Sequence, residues 1–139
     1  MKPPTVYLVI MLAATVLATG CQVFQGGGAG AADGWTSNIA GSYKGIIYTG
    51  QTEYPGTTTF AMDDKGMLKG TYALDENGTT VPGTLTDFRE VGPRKLTCTW
   101  HDKNGSGPFV LTFTEDLSAF DGLWSNAGQP PTHGWNGKK

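Results

Sequence analysis

The stretch Lys95-Leu96-Thr97-Cys98-Thr99-Trp100-His101-Asp102-Lys103-Asn104-Gly105-Ser106-Gly107-Pro108-Phe109-Val110-Leu111-Thr112-Phe113 decides the fold. Leu96, Cys98 and Trp100 alternate with Thr97, Thr99 and His101, which is the period-two pattern of a strand with one apolar and one polar face. Lys103 to Gly107 supplies turn residues, and Phe109, Leu111 and Phe113 then resume the alternation against Thr112 and Thr114. The unit is a hairpin whose inward face is large and apolar and whose outward face is rich in threonine.

The same rhythm extends in both directions. Downstream, Glu115-Asp116-Leu117-Ser118 turns into Phe120, Gly122 and Trp124, and a last short strand holds Trp135 and Gly137. Upstream, Arg89 to Arg94 is expected to be a loop. Before it lie strands carrying Val81, Gly83 and Leu85; then Leu68, Gly70, Tyr72 and Leu74; then Thr58, Phe60 and Met62; and first Tyr43, Gly45 and Ile47. Pro82, on the opposite face of its strand, suggests an edge or a bulge. No stretch after residue 41 offers a helical apolar stripe longer than a turn, so the expected class is all-β. Eight short strands joined by short links predict one small antiparallel up-and-down β-barrel, closed so that no strand edge is left unpaired. A two-sheet sandwich is the alternative.

A weak internal repeat runs through this pattern. Phe60 to Tyr72 and Phe113 to Trp124 both read as an aromatic residue, an acidic turn, then apolar-x-Gly-x-aromatic. The glycine is expected to make room for a neighbouring ring on the inward face.

Charge excludes one large class of partner. The chain has 10 Lys+Arg against 12 Asp+Glu, a formal net charge of −2, and so no basic field to attract a phosphate backbone. Nucleic acid is not an expected partner. Two cysteines cannot make a disulfide scaffold, so stability must come from an ordinary packed core.

The N-terminal segment is of another kind. Lys2 precedes an uncharged apolar run from Val6 to Ala18, shorter than the roughly 20 residues of a membrane span, and small residues then lead to Cys21. Leu17-Ala18-Thr19-Gly20-Cys21 resembles the lipobox of bacterial lipoproteins. That resemblance implies removal of residues 1–20 as a signal peptide and lipid attachment at the Cys21 thiol. It also implies a site in the bacterial cell envelope, and with Gln22 rather than Asp after the cysteine, sorting to the outer membrane. Membrane contact would then be made by the acyl anchor alone. Residues 21–40, with Gly26-Gly27-Gly28-Ala29-Gly30-Ala31-Ala32, have the composition of a flexible tether. Trp35 is the large residue within it and is expected to pack against the barrel end. Residues 41–139 form the folded domain. Loss of Lys2 with the leader leaves 9 Lys+Arg against 12 Asp+Glu, and lipidation of Cys21 leaves Cys98 as the free thiol.

Lys65-Gly66-Met67-Leu68-Lys69-Gly70-Thr71-Tyr72, with the later Gly-x-apolar strands and Trp-ended hairpins, looks like the avidin-type meander barrel. It is also similar to small uncharacterised bacterial domains ending in a Trp-x-Gly element, here Trp135-Asn136-Gly137. Avidin-type sites are lined by inward polar groups, which this inward face lacks apart from two tyrosines and a thiol. No biotin-type residue is carried over.

An interior this rich in large side chains is expected to be filled, with an apolar cavity for one small ligand as the other outcome. In the second case the cavity mouth would be formed by Tyr43, Tyr72, Trp100, Trp124 and Trp135. Residues 125–134, with Pro130, Pro131 and His133, read as a solvated connection able to cover one end.

Catalytic and metal chemistry find little support. Cys98 and His101 fall on opposite faces of one strand, so thiol and imidazole diverge, and Cys98 reads as a small buried hydrophobe. Two histidines do not make a zinc site, and the acidic pairs sit in hairpin turns without calcium-loop spacing. No metal, cofactor or catalytic residue is expected. The function predicted is therefore non-catalytic. It is either an envelope module binding a small apolar ligand, or a protein-interaction or envelope-structural module, enzyme inhibitors included, acting through loops and outer face.

Overall fold

The structure, a computed structural model, describes residues 34–139. Eight strands follow one another around a closed antiparallel barrel in sequence order. They are β1 (Gly41–Tyr48), β2 (Glu53–Met62), β3 (Leu68–Glu76), β4 (Thr79–Gly92), β5 (Lys95–Asp102), β6 (Gly105–Phe113), β7 (Ala119–Trp124) and β8 (His133–Lys138). The predicted barrel class and meander topology are those observed. The leader, Cys21 and the glycine-rich run lie outside the described residues.

Alternation places the side chains as the sequence pattern requires. In β5, Leu96, Cys98 and Trp100 are buried, while His101 is exposed with its Nε2 2.9 Å from Thr86 Oγ1. Burial pushes the Cys98 thiol well above its ordinary range, with Asp87 adding to the effect, so it is a core side chain and a poor nucleophile.

Closure is made where β1 meets β8, with Lys44 opposite Lys138 and Ile47 opposite Trp135. Between them the Ile46 amide donates to Asn136 Oδ1 at 3.2 Å, so a side chain serves in the ladder at this seam.

The two ends of the barrel differ. One pole gathers the β2–β3, β4–β5 and β6–β7 links and is packed solid. Tyr43, Phe60, Phe113 and Phe120 meet there with ring centroids 5.6–6.0 Å apart in tilted and edge-to-face contacts. Such pairs add about 0.5–1.5 kcal/mol each beyond their burial. The glycines of the repeat make room for inward side chains: a Cβ at Gly122 would lie 2.5 Å from the Phe109 ring, and one at Gly70 2.9 Å from Leu85 and 3.1 Å from Phe88.

Two expectations are corrected at this pole. First, Gly34–Ile39, assigned by sequence to the tether, is a 3-10 helix that caps the barrel and belongs to the folded unit. Ile39 and Thr36 are buried, and the Trp35 ring lies 5.8 Å from Phe113 while its indole donates to Glu90 at 2.8 Å. Trp35 thus packs on the barrel end as expected. Second, residues 89–92, expected in a loop, continue β4. A register shift between Thr86 and Arg89, with Asp87 at φ 57°, breaks the period and turns Phe88 inward.

The β6–β7 turn carries a measurable charge. Asp116 Oδ1 accepts from the Ser118 hydroxyl at 2.7 Å, the Thr114 hydroxyl at 2.8 Å and the Ser118 amide at 3.1 Å. These bonds hold its carboxyl down at about 2, against an ordinary 3.8. A lowered folded-state value means that the turn's contribution is complete above about pH 4 and lost as pH falls toward 2. An NMR titration of the Asp116 carboxyl should give a midpoint near 2 that moves up in Ser118→Ala; a midpoint at the ordinary value in the parent chain would refute it.

Candidate functional site

The opposite pole gathers the ends of the odd-numbered strands and the links that follow them. There the interior opens into a recess of about 320 Å³, at the small end of ligand-binding pockets. Ile47 and Leu74 contribute aliphatic surface, and Tyr72, Trp100, Trp124 and Trp135 contribute rings. Tyr72, Trp100 and Trp135 are almost fully buried and form the floor, while Trp124 is half-buried and forms a wall. The upper rim is polar: Thr49, Glu76, Asp102, Asn104 and Asn126.

The rings are held in two edge-to-face pairs. Tyr72 and Trp135 have centroids 4.7 Å apart at 74°, and Trp100 and Trp124 are 5.2 Å apart at 84°. Trp135 also stacks on Phe109, 4.2 Å away at 14°, which ties the floor to the packed half. Across the ladder the Tyr72 ring lies over Gly83, where a Cβ would come 2.1 Å from the ring.

Every indole N–H in the recess is already engaged. Trp100 donates to the Ser125 carbonyl at 2.8 Å, Trp124 to the Tyr48 carbonyl at 2.9 Å, and Trp135 to the Thr58 hydroxyl at 3.0 Å. These bonds fix the rings and leave no indole donor for an occupant. The Tyr72 hydroxyl donates to Asp102 Oδ2 at 2.8 Å; burial, then the adjacent carboxylate, push it far above its ordinary range, so it stays protonated. Asp102 Oδ1 accepts the Asn104 amide at 2.7 Å. Glu76 faces Lys103 at 3.9 Å, a long contact from a mostly exposed lysine.

Residues 125–132 are mostly exposed, as expected of a solvated connection, but their start is anchored. The Ser125 amide donates to Pro108, the Ala127 amide to Ser106, and the Ser125 hydroxyl to Gln129 at 2.6 Å. Gly107 permits the approach, since a Cβ there would lie 2.0 Å from the Ser125 carbonyl oxygen. The loop thereby sets Asn126 on the rim.

Four of the five aromatic residues predicted for a mouth therefore converge: Tyr72, Trp100, Trp124 and Trp135. Tyr43 does not join them and is corrected to the closed pole. It is fully buried, its hydroxyl donates to the Leu117 carbonyl at 2.8 Å with the Ile39 carbonyl at 3.2 Å, and burial pushes it up to about 12. Neither rim carboxylate was anticipated as a site residue: Glu76 reads as part of the Asp75-Glu76 turn, and Asp102 as the residue between His101 and the turn that begins at Lys103. Their position at the ends of odd strands, level with Trp100 and Trp124, is the signal that groups them. Among the described residues no cluster of three or more His, Cys, Asp and Glu side chains is placed to hold a metal ion.

Compared with known proteins, the chain matches no protein-family model, no curated protein and no solved structure.

Proposed function

We propose that this chain is a lipid-anchored protein of the bacterial cell envelope whose barrel mouth binds a small ligand with an apolar or aromatic body. The anchoring half of the reading is supported by the apolar run and Leu17-Ala18-Thr19-Gly20-Cys21; the binding half is supported by the recess. One observation carries it: rings from β3, β5, β7 and β8 converge on a single opening while the other pole is packed solid and capped. A barrel that served only as an inert spacer would have no need to leave one end unfilled.

The test uses protein purified from bacterial membranes. Intact mass should show a chain starting at Cys21 and carrying acyl mass. Titration with the neutral fluorophore N-phenyl-1-naphthylamine should give a saturable emission increase, weakened about tenfold, or about 1.4 kcal/mol, in Trp124→Ala. A mass retaining residues 1–20 would overturn the anchor, and a flat titration with folded protein would overturn the binding role.

A further inference from the structure

We infer that the mouth selects organic cations, a quaternary or protonated amine on an aromatic or aliphatic body, over neutral and anionic molecules of the same shape. This rests on the binding role proposed above and specifies its ligand class. The charged side chains among the residues lining the recess are Glu76 and Asp102, both carboxylates. Lysine, arginine and histidine are absent from that lining. The imbalance extends over the whole pole: Glu53, Asp75, Glu76 and Asp102 lie at the strand ends and turns there, against Lys103 and against His133, whose ring packs 5.0 Å from Trp124 outside the recess lining. Lys103 stands 3.9 Å from Glu76 with its side chain 59% exposed, so it neutralises the rim weakly.

The hydrogen-bond inventory points the same way. An anion entering the recess would need donors, yet the three indoles, the Tyr72 hydroxyl and the Thr49 hydroxyl all donate within the protein. The side-chain amides of Asn104 and Asn126 are the donors left on the rim. A cation meets the reverse situation. Aromatic rings carry negative quadrupole charge on their faces, Trp is the strongest of the cation–π partners, and Trp124 is the recess ring left half-buried. Above them, the two carboxylates add charge without requiring the ligand to bury an unpaired group. Fatty-acid carboxylates are disfavoured by the same field.

The experiment compares three probes with one ring each: benzyltrimethylammonium, benzyl alcohol and phenylacetate, followed by tryptophan fluorescence and calorimetry. Benzyltrimethylammonium is expected to bind about tenfold more tightly than benzyl alcohol, with phenylacetate weakest, and its affinity should fall as salt is raised. Glu76→Gln with Asp102→Asn keeps an acceptor for the Tyr72 hydroxyl at the expense of the Asn104 amide, and should lower the cation's affinity about tenfold. Glu76→Gln alone, which touches one long ion pair, gives a smaller loss in the same direction and covers the case in which the double variant does not fold. Equal binding of cation and alcohol, unaffected by either variant, would overturn the cation preference and leave the binding role intact. Silence from all three probes at millimolar concentration, together with a flat naphthylamine titration, would overturn both.

Discussion

Replacing Trp135 with alanine is expected to destabilise the barrel by about 4 kcal/mol, the upper part of the range for deleting a buried large aromatic. Trp135 is 2% exposed and touches both halves of the interior, stacking on Phe109 and meeting Tyr72 edge-on. Its indole also satisfies the Thr58 hydroxyl, which is itself 1% exposed and would be left without this donor. Domains of this size hold roughly 5–15 kcal/mol in all, so the variant should be marginal. Trp135→Phe keeps a ring on Phe109 and loses the hydrogen bond, so its cost should be about half. Urea unfolding checks both: a lower midpoint with unchanged slope for each, in that order. A loss under about 1.5 kcal/mol for the alanine variant would contradict the role assigned to this side chain.

The second large effect lies at the closing seam. A Cβ on Gly45 would stand 2.0 Å from the Asn136 carbonyl oxygen and 2.6 Å from its carbon, so the obstacle is backbone. Gly45→Ala must therefore push β8 away from β1, where a side-chain bond from Asn136 already replaces part of the ladder. Overpacking of this kind costs about 1–3 kcal/mol, and at a rigid backbone contact the upper figure, about 3 kcal/mol, is expected. Gly134, also in β8, meets nothing within 4 Å, and Gly134→Ala should be neutral to within about 0.5 kcal/mol. Similar losses in the two variants would refute the close approach as the cause, since the lost freedom of the unfolded chain acts in the stabilising direction at both positions.

The barrel was legible in the sequence wherever a strand alternates without interruption, as Leu96-Thr97-Cys98-Thr99-Trp100 does. It was illegible at the β4 bulge, because Asp87 inserts one residue and puts Phe88 out of phase with Leu85; a period-two reading drops it into a loop. The capping helix was hidden for a different reason. Two turns of 3-10 helix have too few residues for periodicity, and the partners of Ile39 lie in the barrel rather than in its own segment. At the recess, alternation told which residues point inward but not toward which pole. Tyr43 starts an odd strand, whereas Trp100 and Trp124 lie at or near the ends of theirs, so chain direction separates them by the length of the barrel. Glu76 was masked because the turn chemistry that favours acidic residues there needs no second explanation, and Asp102 because alternation does not tell which pole a strand's last residue reaches.

The cap has a consequence for geometry. The chain enters the barrel through the closed pole, and Lys139 ends at that same pole, its amide on the Ser118 carbonyl and its ammonium 3.3 Å from the Asn38 carbonyl. Both ends of the domain therefore leave on one side. Strands of 8 residues, tilted as in barrels of this size, set the mouth about 20 Å from the plug. The four links of the open pole, β1–β2, β3–β4, β5–β6 and β7–β8, lie at the end of the barrel away from Gly34 and Lys139. The described domain is a cup closed at the pole that holds Gly34 and Lys139 and open at the other.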